Sequence, residues 1–265
     1  MTSQSRELEG RVALITGAGS GIGKATALLL AQKGAKVAAL GRSEEELQET
    51  IDQIRQDGGE ALCVVADISQ PEAMQQAVQT LEQAYGRLDI VFANAGINGV
   101  WAPIEDLEPD EWDRTMNINL KGTFLTVKYA IPLLKKQGGS IIITSSVNGT
   151  RIFSNTGATA YSCTKAAQVA FTQMAALELA KHRIRVNVIC PGAISTQIES
   201  STEKRNIERE KEPVEFPEGK IPLTDGQPGQ SDQVAQVVLF LASDHSSHVT
   251  GTPIWVDGAE SLLMG

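Results

Sequence analysis

The chain has 265 residues, 42% of them hydrophobic and 21% charged, which fits a globular α/β protein able to bury a full core without metal or disulfide staples. Its formal net charge of -9 excludes a body-wide attraction to phosphate backbones, so nucleic acid is not an expected partner. No apolar run approaches the roughly 20 residues of a membrane span, and the start, MTSQSRELEG, lacks an apolar signal core.

Apolar β-type runs alternate with longer helix-type runs. Residues 11–16 (RVALIT) read as a buried strand that ends in the glycine cluster 17–23. A helix over 24–33 stops at Gly34, and 36–40 (KVAAL) is a second strand. Ser43 is the expected N-cap of the next helix, with Glu46 completing a capping box; that helix ends at Gly58-Gly59. Strand 61–66 precedes a helix over 69–85 with Pro71 in its first turn. Strand 89–92 precedes a long helix from 110 to about 136, expected to bend near Pro132. Then come strand 140–145, helix 160–181, strand 184–189, helix 232–242 and strand 253–256. This alternation predicts one α/β domain over 1–265, doubly wound, its seven-stranded and mostly parallel sheet carrying helices on both faces. Ligands of such sheets bind at the carboxyl ends of the strands. One stretch breaks the rhythm: 195–230 is dense in Glu, Lys, Arg and Pro, and its position favours a substrate lid over a solvated insertion.

The motifs fall at those carboxyl ends. In Thr16-Gly17-Ala18-Gly19-Ser20-Gly21-Ile22-Gly23 the glycines permit a tight turn, and the helix after it offers free N–H groups to a pyrophosphate. Tyr161 and Lys165 stand four residues apart, one face of a helix, where an ammonium is expected to lower a phenol's pKa from about 10. Ser146, or its neighbour Ser145, follows the fifth strand. Asn117 and Asn119 interrupt the long helix, where asparagine is a poor interior residue.

TGAGSGIG, Asn94-Ala95-Gly96, Tyr161-Ser-Cys-Thr-Lys165 and Pro191-Gly192 together resemble the short-chain dehydrogenase/reductase family over nearly the whole chain. The resemblance implies a Rossmann-type fold, a nicotinamide cofactor and hydride exchange with a ketone or secondary alcohol. It implies four catalytic residues: Ser146 to hold the substrate oxygen, Tyr161 to exchange its proton, Lys165, and Asn119 to hold a proton-relaying water. It implies cofactor contacts from Gly17, Ser20, Gly21, Ile22 and Gly23, from Asp67 and Ile68, from Asn94, Ala95 and Gly96, from Tyr161 and Lys165, and from Pro191, Gly192, Ile194 and Thr196. Asp67 could equally cap the helix after it, and Asn94 reads first as a brace of the sheet. The second strand carries Gly41 where an acidic residue would mark NAD, followed by Arg42 and Ser43; this favours NADP(H), with NAD(H) as the alternative.

No metal is expected, and His182, His245 and His248 are assigned to surface or packing roles. Cys63, Cys163 and Cys190 lack disulfide or zinc spacing, and the cytoplasm is the expected compartment. Two rival activities are considered. One is 3-oxoacyl-[acyl-carrier-protein] reduction, which needs Lys135, Lys136 and Arg183 to form a docking patch. The other is a non-catalytic, cofactor-sensing binding protein. The apolar end GTPIWVDGAESLLMG suggests an interface, and a homotetramer is expected, with a dimer as the alternative.

Overall fold

The computed structural model describes residues 6–211 and 221–264. Strand β1 (Val12–Thr16) is buried at every position. It turns through 17–20 into α1 (Gly21–Gln32), then β2 (Lys36–Gly41) and α2 (Glu44–Gln56). Next come β3 (Ala61–Val65), α3 (Pro71–Tyr85), β4 (Ile90–Ala93) and a short β5 (Gly99–Trp101). Then follow α4 (Pro109–Met116), α5 (Gly122–Leu134), β6 (Gly139–Thr144), α6 (Thr159–Ala180) and β7 (Ile184–Pro191). The chain finishes with β8 (Thr202–Lys204), α7 (Ser231–Ala242), β9 (Pro253–Val256) and α8 (Glu260–Met264).

Seven strands form one sheet in the order β3-β2-β1-β4-β6-β7-β9, every pair parallel, as expected. The period of two sorts the side chains to either face. Val12 and Leu14 enter one core with Met74, Leu125 and Leu179; Ala13 and Ile15 enter the other with Leu30, Ile51 and Val238. Helices therefore cover both faces. The chain winds outward in opposite directions from β1 and β4, so a crevice opens between their carboxyl ends.

Three local expectations change. The irregularity of the long helix lies in a π-turn over Asn117–Lys121 between α4 and α5, and Pro132 sits within α5. The π-turn is held by the Asn119 side chain, which bonds to Ile97 on another segment rather than to its own helix. Helix α3 begins at Pro71 because Asp67 Oδ1 accepts from Ser69 N (2.9 Å) and Ser69 Oγ (2.8 Å), fixing a turn before it. At α2, Ser43 Oγ accepts from Glu46 N (3.3 Å), but the Glu46 carboxylate does not return to Ser43; it lies against Gly19 instead.

The stretch 195–230 is more regular than its composition suggests. Gln197–Ser201 forms a 3-10 turn, and β8 pairs in parallel with β5. Arg205 grips both carboxylate oxygens of Glu111 (2.8 and 2.7 Å), and Arg209 pairs with Asp106 (2.9 Å). This small sheet escapes sequence reading because both of its strands have only three residues and β8 is polar. Residues 212–220 of the expected lid, with Pro213 and Pro217, lie outside the described residues.

Candidate active site

The glycine turn at the end of β1 works by close approach. Gly17 has φ +68°, and a Cβ at Gly23 would lie 2.0 Å from the Gly17 carbonyl oxygen, so no larger residue fits there. Asn94 fastens the turn: its N–H donates to Thr16 Oγ1 (2.9 Å), its Nδ2 to the Thr16 carbonyl (3.2 Å), and its Oδ1 accepts from Thr144 Oγ1 (3.1 Å). It thus ties β1, β4 and β6 together, the bracing role read from the sequence.

A cleft of about 440 Å³ opens over these strand ends. It is lined by Gly17, Ser20, Gly21 and Ile22, by Arg42 and Ser43, by Asp67 and Ile68, and by Asn94, Ala95 and Gly96. Ser146, Tyr161, Lys165, Pro191, Gly192, Ile194 and Thr196 line its other side. Two of the expected site residues do not reach it. Gly23 is packed beneath the turn. Asn119 is fully buried; its Oδ1 accepts from Ile97 N (2.8 Å) and its Nδ2 donates to Ile97 O (2.9 Å). It still meets the site indirectly, since a Cβ at Gly96 would stand 3.1 Å from Asn119 Oδ1 and 3.8 Å from Lys165 Nζ. Glu46, Ile97, Thr144, Gln197, Ile198, Ser200 and Ser201 line the cleft without having been anticipated. For Glu46 the helix-capping pattern hid the signal; for Ile198 and Ser201 it lay in an unreadable loop.

The two serines after β6 differ. Ser145 Oγ donates to the Lys165 carbonyl (2.7 Å) and is buried. Ser146 Oγ accepts from Asn148 N (3.1 Å) and lines the cleft with Tyr161, whose phenol it pulls down. The PG segment is equally well held. Gly192 N donates to Val256 O (3.1 Å), and Ala193 N to Glu260 Oε2 (2.9 Å).

Residues 17–259 match the family described as enoyl-(acyl carrier protein) reductase. The chain is 42% identical over 252 residues to a 3-oxoacyl-[acyl-carrier-protein] reductase of Thermotoga maritima, covering 95% of this chain and 98% of that one. It is 39% identical to a cyclohexanol dehydrogenase of Acinetobacter sp., covering 96% of each. A solved 3-ketoacyl-ACP reductase from Sinorhizobium meliloti superposes with a TM-score of 0.91 at 55% identity, covering 95% of this chain and 99% of that one. The chain belongs to the short-chain dehydrogenase/reductase family.

As a short-chain dehydrogenase/reductase, the protein is an oxidoreductase acting on alcohol or carbonyl groups. Solved relatives hold either form of the cofactor. One from Brucella melitensis (TM-score 0.84, 32% identity, 96% of this chain and 99% of that one) is complexed with NADH. One from Burkholderia cenocepacia (TM-score 0.84, 31% identity, 96% and 99%) carries NADP. The open glycine cradle and the strand-end cleft suit a dinucleotide here as well.

Burial dominates the electrostatics of the Tyr161–Lys165 pair. Burial pushes the Tyr161 phenol up to about 12, with Ser146 pulling weakly the other way. Burial also brings the Lys165 amine down to about 8. Lys165 Nζ lies 5.4 Å from the Tyr161 ring centre and donates to the Thr144 carbonyl at 2.9 Å. Low polarity acts on both groups and favours the neutral form of each. His182, His245 and His248 do not line the cleft.

Proposed function

We propose that the protein moves hydride between NADP(H) and a ketone or secondary alcohol. The observation that carries this reading is the meeting of Ser146, Tyr161 and Lys165 in the same cleft as the glycine turn. When bound, the nicotinamide supplies or takes the hydride. Ser146 and Tyr161 offer two donors to the substrate oxygen, arranged before the reaction begins. Tyr161, held protonated by burial, gives its proton to the developing alkoxide. Lys165 supports the phenolate left behind, and Asn119, which like Lys165 borders Gly96, would stand on the route by which the proton is restored.

Gly17, Ser20, Gly21, Ile22 and Gly23 would cradle the pyrophosphate, and Asp67, Ile68, Asn94, Ala95 and Gly96 the adenosine side. Pro191, Gly192, Ile194 and Thr196 would hold the carboxamide. The preference for NADP(H) rests on Gly41, where a carboxylate would repel a 2′-phosphate, and on Arg42 and Ser43 beside it. We also propose one domain over 1–265. The segment 195–230 would close over substrate, since Ile194, Thr196, Gln197 and Ile198 already form a wall of the cleft. A homotetramer suits the exposed Met174 and Leu177 on α6. Three unpaired cysteines suit the cytoplasm.

Reduction of 3-oxoacyl thioesters is the second reading, favoured by the names of two relatives. The basic residues on which docking of an acidic carrier would depend do not help it. Lys135 and Lys136 precede β6 and Arg183 precedes β7, so they sit at the amino ends of the strands, opposite the cleft. The test is a panel of ketones and 3-oxoacyl thioesters, free and carrier-bound, followed at NADPH and NADH absorbance. Simple ketones turned over with the higher kcat/KM on NADPH support the proposal. Turnover of carrier-bound substrates alone transfers the activity to the second reading, and binding of cofactor with no turnover of any substrate reduces the protein to a cofactor sensor.

A further inference from the structure

Two opposite charges face the adenosine end of the cleft. Arg42 follows β2, and Glu46 lies in the first turn of α2; both line the cavity. They form no ion pair with each other among the described residues. Lys24, on the neighbouring α1, pairs with Glu49 (3.7 Å) and not with Glu46.

A capping box does not account for where the Glu46 carboxylate lies. Three glutamates, Glu44, Glu45 and Glu46, open α2, where carboxylates favour the positive end of the helix dipole. Of these, only Glu46 lines the cleft. A capping box would turn its carboxylate back to the Ser43 N–H. The side chain instead lies over Gly19: a Cβ on that glycine would stand 2.8 Å from Glu46 Cβ and 3.0 Å from Glu46 Oε2. Gly19 belongs to the glycine turn, Ser43 Oγ accepts from Glu46 N (3.3 Å), and Arg42, next to Ser43 in the chain, lines the same cleft. A 2′-phosphate held by Arg42 would therefore be within the field of this carboxylate, whereas a free 2′-hydroxyl carries no charge for it to repel.

We infer that Glu46 is a cofactor-selectivity residue that opposes the 2′-phosphate, so that the choice between NADP(H) and NAD(H) is set by Glu46 against Arg42. The inference rests on the reading that this cleft holds a nicotinamide dinucleotide.

The experiment compares kcat/KM for NADPH and NADH in the wild type, Glu46→Gln and Glu45→Gln, at 50 and 500 mM NaCl. Glu45 is the control: it shares the helix turn but not the cleft. The carboxylate lies at an exposed rim, so the expected gain for NADPH in Glu46→Gln is about three- to tenfold, with NADH changed less than about twofold. The gain shrinks at the higher salt, a response that a purely structural effect would not give. Glu45→Gln leaves the NADPH/NADH ratio unchanged. Folding is preserved because the bond to Ser43 comes from the Glu46 backbone N–H.

A ratio that Glu46→Gln leaves within twofold, or an equal rise in both variants, overturns the inference while leaving the cofactor reading intact. A wild type active only with NADH removes the NADP(H) preference, yet a gain of NADPH activity in Glu46→Gln would still uphold the role of Glu46. Failure of titration calorimetry to detect NADP⁺ or NAD⁺ binding to the wild type overturns both.

Discussion

Lys165 Nζ hydrogen-bonds the carbonyl oxygen of Thr144, the last residue of β6, at 2.9 Å. The lysine is thereby anchored to the strand end that leads into Ser146, and its amine is brought down to about 8 by burial. The charge it offers to a phenolate is thus present at neutral pH and lost just above it. For ketone reduction under saturating cofactor, kcat/KM is expected to stay level from pH 6 to 7 and to fall above about pH 8. A profile level to pH 9.5 would show that the charge on Lys165 contributes nothing to the reaction.

Tyr161→Phe removes the proton donor and leaves the ring. Turnover is expected to drop by about 10²–10⁴-fold, the range of a positioned acid. Cofactor affinity, read by fluorescence titration, should stay within about threefold. Near-native kcat in this variant would remove Tyr161 from the chemistry.

Stability should report the same buried pair. Lys165 has its pKa lowered from 10.5 to about 8 on folding. Between those values the unfolded chain binds a proton that the folded chain does not, so stability rises with pH through this window. Below about pH 8 both states are protonated and the cost of burying the charge is complete. Tyr161 acts with the opposite slope: its pKa rises from 10.0 to about 12, so stability falls as pH climbs between them. Lys165→Met should therefore raise the urea midpoint at pH 7, and the gain should shrink by pH 10. An equal gain at both pH values would contradict the depressed amine.

The β5–β8 pairing should depend on Glu111. Hydrogen bonding from Arg205 chiefly holds the Glu111 carboxyl down at about 2. Replacing it by Gln weakens the charged grip on the segment that carries Ser201 and Thr202. Amide exchange at Thr202–Lys204 is expected to quicken by about five- to tenfold, and KM for bulky ketones to rise more than kcat falls. Unchanged exchange would mean that the strand pairing alone holds this wall.

Repeating local signals made the sheet and the chemistry of its edge readable from the chain alone. Strands such as 12–16 are apolar up to Thr16, helices such as α3 are bounded by Pro71 and Gly86, and the glycine turn and Tyr161–Lys165 pair are short-range patterns. Position in a doubly wound sheet then fixed where these motifs must gather.

What the sequence could not decide were contacts between distant segments and the solvation they impose. The sequence singles out Asn119 but not its partner: its side chain bonds to Ile97, 22 positions away. Glu46 looked like half of a capping box but turned to Gly19, a choice made by the packing of α2 on the glycine turn. The direction of the Tyr161 shift followed from burial, which composition and spacing do not encode. A pKa is set by everything that surrounds a group, and only the folded chain determines what surrounds it.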